Sequence, residues 1–172
     1  MTVYKSQQEY KDGAHMCTVA SIHWVLAICV YGMPPEASAE QMHVVMQSSE
    51  RMYVMLTKAR QGIMLQQHEV IQGSSFPAAV RHTEWFGTAL DGLDVDLASS
   101  VQLRNVGDKI TPGAGAAFTA NRHTTALYRS TDNVVFMFDS CVASVEVVVD
   151  LTAQLCRAHG PIVDFYMTVF SK

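Results

Sequence analysis

The chain has 172 residues, of which 49% are hydrophobic and 16% charged, against roughly a quarter charged in an average soluble protein. That length suits one compact domain, 1–172, and the apolar content excludes intrinsic disorder. A formal net charge of -4 gives no electrostatic reason to expect a nucleic-acid backbone or an anionic membrane as partner, and no apolar run approaches the roughly 18 residues of a membrane span.

Residues 1–11 are polar and charged where a signal peptide would need an apolar stretch, so a soluble protein of a reducing compartment is expected. Val19, Ile22, Leu26, Cys29 and Val30 recur at helical spacing and predict a buried helix over 17–31, stopped by Gly32, Pro34 and Pro35. A second, longest helix is predicted over 39–61, with Met42, Val45, Met46, Ser49, Met52, Tyr53 and Leu56 on its core face and Gly62 beyond its end. Residues 66–112 are the least readable; they hold turn signals at 73–77 and Asp91-Gly92 and short alternating stretches at 95–97 and 101–103.

From Ala117 a strand meander is expected. It has a strand over 124–128, a turn at 130–133, and a strand over 134–138 whose residues are apolar on both faces, which predicts a central position. A short helix over 150–158 ends at Gly160-Pro161. The last strand alternates Val163, Phe165, Met167 and Val169 against Asp164, Tyr166 and Thr168. Helices first and a mostly antiparallel sheet second is an α+β arrangement.

The four cysteines, Cys17, Cys29, Cys141 and Cys156, are too sparse for a disulfide scaffold. Three sit in apolar or helical surroundings that suit inert buried thiols. Cys17 differs, because it opens a helix, where unpaired N–H groups and the positive dipole end stabilise a thiolate. It is either a nucleophile or a small apolar residue beginning a helix. His123 stands at the start of one predicted strand and Asp139 at the end of the next. If the two strands pair as a hairpin, the carboxylate meets the imidazole through one ring nitrogen and leaves the other for a thiol. Cysteine at a helix start, histidine at a strand start and aspartate on the neighbouring strand is the constellation of papain-like proteases. An oxyanion donor is expected from a glutamine before the nucleophile, together with the Cys17 backbone N–H. Gln8 is the preferred residue, and spacing alone does not exclude Gln7.

Gly13-Ala14-His15-Met16-Cys17-Thr18-Val19-Ala20-Ser21 and Val135-Phe136-Met137-Phe138-Asp139-Ser140 resemble the two motifs of a known family: the ubiquitin-specific cysteine protease domain of herpesvirus large tegument proteins and related tegument-like deubiquitinases. The resemblance implies a papain-like fold with N-terminal helices packed on a mostly antiparallel sheet. It also implies hydrolysis after the C-terminal Gly-Gly of ubiquitin or a ubiquitin-like protein, no cofactor, and a place in host cytoplasm or virion tegument. A peptide or polyprotein substrate fits the same three residues. One departure stands out. The family carries its histidine two residues after the aspartate, where this chain has Cys141. Either His123 supplies the imidazole or the domain is a catalytically inactive interaction module.

No C-x-x-C pair or H-E-x-x-H helix is present, so no metal site is expected. Gly113-Ala114-Gly115 lacks the lysine and helix of a phosphate loop and is expected as a flexible loop bordering a channel for a Gly-Gly tail.

Overall fold

Helix α1 (Cys17–Cys29) organises the molecule because almost nothing on it can face water: Val19, Ala20, Ile22, Trp24 and Val25 are all fully buried. A helix that is apolar all round needs cover on more than one side. Helix α2 (Ala39–Thr57) supplies one cover and a seven-stranded sheet the other. This computed structural model describes residues 4–58, 60, 62–74, 79–88, 100–142 and 144–172.

Helix α1 ends two residues earlier than the spacing predicts, since Gly32 adopts φ 71° and the Met33 N–H reaches back to the Ala27 carbonyl. Helix α2 begins with a reciprocal cap between Ser38 and Gln41. It ends short of the predicted residue 61, because Lys58 turns left-handed at φ 53°; Ala59 and Gln61 lie outside the described residues. Its methionine stripe is core, as expected, with Met42 and Met46 fully buried. A short helix, α3 (Gln67–Gly73), follows in the stretch where periodicity is silent.

The strands are β1 (Arg81–Thr88), β2 (Ser100–Gln102), β3 (Gly115–Ala120), β4 (His123–Arg129), β5 (Val135–Phe138), β6 (Val145–Val147) and β7 (Asp164–Ser171), with α4 (Leu151–His159) before β7. Their order in the sheet is β2-β1-β7-β3-β4-β5-β6, and every neighbouring pair is antiparallel except β1 with β2. The two-residue alternation of strands divides the core. Ala117, Ala126, Phe138 and Phe170 face α1 and α2. Ala116, Phe118, Leu127, Met137 and Val169 face the opposite layer, built by Leu155 of α4 and by Val106 of a 3-10 segment, Leu103–Lys109. The architecture is α+β, helices on a mostly antiparallel sheet.

One strand expectation is corrected. The strand over 134–138 is penultimate rather than central: β5 borders the three-residue β6, Phe136 is only partly buried, and Val134 lies before the strand. Strand β7 instead runs through the interior between β1 and β3, so Thr168 and Phe170 are as fully buried as Met167. The Thr168 hydroxyl tolerates this because it donates to Gln67 Oε1 at 2.6 Å. Val163 precedes the strand and is exposed. Of the middle segment, Val101 lies in β2 while Leu103 opens the 3-10 segment. The stretch expected at 95–97, the Asp91-Gly92 turn and Ser75, Phe76 and Pro77 lie outside the described residues.

Candidate active site

Cys17 is the first residue of α1 and is 3% exposed. Its neighbour Thr18 locks the helix start onto β4. The Thr18 and Thr124 hydroxyls hydrogen bond at 2.9 Å, Thr124 bonds on to the Thr119 hydroxyl at 2.8 Å, and Ser21 Oγ donates to the Thr124 carbonyl at 3.2 Å. Thr124 follows His123 directly, so this stitching fixes the height of the thiol against the imidazole.

His123 owes its place to a two-residue turn. Asn121 and Arg122 both have positive φ, 52° and 63°, between the paired residues Ala120 and His123, the pattern of a tight hairpin with strand-compatible twist. Asn121 Nδ2 donates to the carbonyls of His159 and Pro161, each at 2.7 Å, and so pins the turn to the end of α4. Asparagine tolerates the left-handed region and its amide here makes two further bonds. Neither role is visible in periodicity.

Asp139 follows the last residue of β5 and is 8% exposed. His123 Nε2 donates to its Oδ1 at 2.9 Å, and the Cys141 backbone N–H donates to the same oxygen at 2.9 Å. The Cys17 thiol lies near enough to the His123 ring that each shifts the titration of the other, and Asp139 engages only Nε2 of that ring. Cys17, His123 and Asp139 therefore lie in one electrostatically coupled group.

The charges follow from this geometry. Burial pushes the Cys17 thiol up, but its hydrogen bond to His123, the imidazolium charge and bonds to Thr124 and Thr18 hold it below the usual thiol value. Burial pulls His123 down, and the bonds and charges of Asp139 and Cys17 override it, raising the imidazole to about 10. Asp139 is held below the ordinary carboxylate range, against its burial, by His123 and the Cys141 N–H. Together these shifts favour a thiolate beside an imidazolium. Under it lies His159, with its ring 5.2 Å from that of His123, its Nδ1–H donating to the Ala120 carbonyl and its Nε2 accepting from the Thr125 hydroxyl. Burial, together with the nearby His123 charge, takes His159 down to about 4, so it is a neutral floor.

The two glutamines separate. Gln7 is 2% exposed and its amide is committed: Nε2 donates to the Ala14 carbonyl at 2.9 Å and Oε1 accepts from the buried Ser140 hydroxyl. Its backbone N–H donates to the Ser140 carbonyl at 2.7 Å. Gln7 thus ties the strand end that carries Asp139 to the turn that carries Cys17. Gln8 is exposed and its Nε2 donates to Cys141 Sγ at 3.8 Å, which puts its amide on the solvent side of the cluster.

Gly13 lets those two segments meet. A Cβ there would lie 2.1 Å from the Gln7 carbonyl oxygen, which accepts from the Tyr10 N–H, on a residue whose own N–H is anchored to Ser140. Gly13→Ala is expected to cost about 1–3 kcal/mol, a fall in melting temperature of roughly 2–12 °C, and to slow alkylation of Cys17. Calorimetry and peptide mapping check both; an unchanged melting temperature would show that the contact relaxes freely.

A cleft of about 700 Å³ is lined by Thr18, Arg122 and Thr124, the sequence neighbours of Cys17 and His123, together with Leu65, Glu84, Phe86 and Tyr166. The glycine loop is not its border. Gly115 pairs with Tyr128 at the far end of the hairpin from the Ala120 and His123 pair, five residues away, or roughly 17 Å of strand. That segment is no flexible loop either, since Ala114 is 1% exposed and a Cβ on Gly115 would meet Val25 at 2.6 Å. Nor is Cys141 a buried inert thiol. It is exposed in the turn after Asp139, and partial burial with the charges of Asp139 and Cys17 raises it to about 11.

No protein-family model matches the sequence, and no curated protein matches it. Among solved structures the chain is similar to the ubiquitin-specific protease encoded by a murine cytomegalovirus tegument protein, solved in complex with a ubiquitin-based suicide substrate. The two superpose with a TM-score of 0.73 at 15% identity, over 99% of this chain and 86% of the other. At that identity the likeness is one of fold, and the fold is that of the viral ubiquitin-specific protease.

Proposed function

We propose that this chain is a cysteine protease that hydrolyses the bond after the C-terminal Gly-Gly of ubiquitin or a ubiquitin-like protein. One observation carries the reading: a buried thiol at a helix start whose titration is lowered by an imidazole that lies 2.9 Å from a buried carboxylate. Cys17 is the nucleophile and attacks the carbonyl carbon from its thiolate form. His123 holds the thiol proton and returns it to the leaving amine, and then draws a proton from the water that hydrolyses the thioester. Asp139 keeps the ring oriented and stabilises its charge. Gln8 and the Cys17 N–H stabilise the oxyanion, Gln8 being the exposed glutamine of the two and Gln7 the one bonded between Ala14 and Ser140. None of these steps calls for a cofactor.

The substrate class is supported by the fold neighbour, which was captured with a ubiquitin-based substrate. On this reading the chain is one papain-like domain acting in host cytoplasm or virion tegument, and no helix among its described residues is long and apolar enough to cross a membrane. Cys141, at the position of the family histidine, motivates the competing reading of a non-catalytic interaction module.

Incubation with ubiquitin bearing a C-terminal electrophile decides between them. The expected product is a single adduct mapped by peptide mass spectrometry to Cys17. A folded protein that yields no adduct at neutral pH is the interaction module. Capture by a bare Gly-Gly peptide electrophile at an equal rate would move the substrate to peptides.

A further inference from the structure

The carboxylate side of His123 holds more donors than the proposed hydrolysis uses. Among the described residues one group of three metal-ligating side chains comes together: a His123 ring nitrogen, an Asp139 carboxylate oxygen and Cys141 Sγ all lie within 4.8 Å of one another. We propose that His123, Asp139 and Cys141 form a binding site for Zn2+ or a similar borderline-soft divalent ion, and that the ion switches the protease off. The second half of this proposal rests on the reading above; the first does not.

The donor set argues for the class of ion. One thiolate, one imidazole and one carboxylate match zinc, whereas calcium and magnesium want oxygen ligands throughout. Bond lengths near 2.0–2.3 Å in a tetrahedron place neighbouring donors roughly 3.3–3.8 Å apart. The existing group reaches that spacing by movements of about 1 Å, and Cys141 is exposed in a turn where its sulfur can rotate. The supports that orient metal ligands are already in place. The Cys141 N–H holds Asp139, the Gln8 amide donates to the Cys141 sulfur, and the His123 ring lies over the neutral His159. Three protein ligands leave a fourth position for water.

His123 Nε2 faces Asp139, so the ion takes that nitrogen, and Cys17 is not among the clustered donors. Binding releases the Cys141 thiol proton and the proton shared between His123 and Asp139. With the ion on Nε2 the ring keeps its other proton: handing it to the leaving amine would leave a metal-bound imidazolate, and while it stays the ring cannot draw a proton from water. Asp139, drawn to the ion, no longer stabilises an imidazolium.

Titration of the metal-free full chain with Co2+, a coloured stand-in for Zn2+, tests the site without any substrate. One ion per chain is expected, with a thiolate-to-cobalt charge-transfer band that Cys17→Ala keeps, Cys141→Ala and Cys141→Ser lose, and Asp139→Asn weakens at least about 10-fold. Circular dichroism establishes that each variant is folded. Zn2+ is expected to slow ubiquitin-substrate hydrolysis by the wild type at least about 10-fold against its own metal-free rate, and to leave the rate of Cys141→Ala at its own metal-free value. No band in the folded wild type, or a band that follows Cys17 instead of Cys141, overturns the site. A band that follows Cys141 in a chain that the ubiquitin electrophile fails to capture sustains the site and removes the protease reading. Capture without a band does the reverse.

Discussion

Cys17→Ala is expected to reduce hydrolysis of a ubiquitin C-terminal amide by about 10,000-fold or more, and His123→Ala by a similar factor. The reason is their electrostatic coupling: the thiolate exists because the ring holds its proton, and the ring has nothing to activate without the sulfur. The double variant Cys17→Ala/His123→Ala is therefore expected to be about as slow as either single one, because residues that act as a unit do not add. Asp139→Asn is expected to lie between, roughly 100- to 10,000-fold down, since the ring keeps a partner but loses the charge that stabilises its cationic form. Steady-state rates on the four proteins check this. Two single losses that multiply in the double variant would mean that Cys17 and His123 act independently, and the triad assignment would fall.

How much of this was legible follows from where each constraint resides. Cys17, His123 and Asp139 sit at ends of elements, and helix or strand ends are marked by local signals: the change of period at Cys17, the turn before Val135, the stop after Phe138. Their convergence needed one further assumption, the pairing of β4 with β5, which the turn at 130–133 made reasonable and which holds in the register. The arrangement that fixes their spacing was not legible. The Thr18–Thr124 bond spans 106 residues and the Gln7–Ser140 bond 133, and polar pairs so far apart leave no mark in hydrophobic periodicity. Asn121 gave a faint signal, as asparagine before a charged residue between two strands suits a left-handed turn. The proposed metal group was hidden for the same reason, because Cys141 and His123 meet across a strand pair and match no spacing motif. Strand β1 was missed because its residues are mostly exposed and show no alternation; its pairing with β7 along the whole strand makes it. The interior place of β7 was hidden for the opposite reason, since the alternation sets Thr168 on the polar face and it becomes core with its hydroxyl bonded to Gln67.

The pH dependence of Cys17 alkylation tests the ion pair apart from any substrate. A thiolate reacts and a thiol does not, so the rate with iodoacetamide follows the thiolate fraction. Cys17 is held below the usual thiol value by His123, and His123 keeps its second proton up to about 10. The thiolate is thus lost only as pH falls through the Cys17 value, and its cationic partner only as pH rises through about 10. Cys29 and Cys141, both raised to about 11, stay protonated through neutrality. At pH 7 a difference of two or more units in thiol value is about 100-fold or more in thiolate fraction, offset roughly 10-fold by the weaker nucleophilicity of the more acidic sulfur. Cys17 is therefore expected to be alkylated at least about 10-fold faster than either, with a rate that levels off at a lower pH than theirs. Removing the ring leaves burial as the dominant influence on Cys17, and burial raises the thiol. In His123→Ala the selectivity is expected to vanish, and the rate to climb about tenfold per pH unit from neutrality to about pH 9. Peptide-resolved mass spectrometry reads all three sulfurs in one sample. A wild-type Cys17 that climbs with the same slope as the His123 variant would show that no thiolate–imidazolium pair exists at rest.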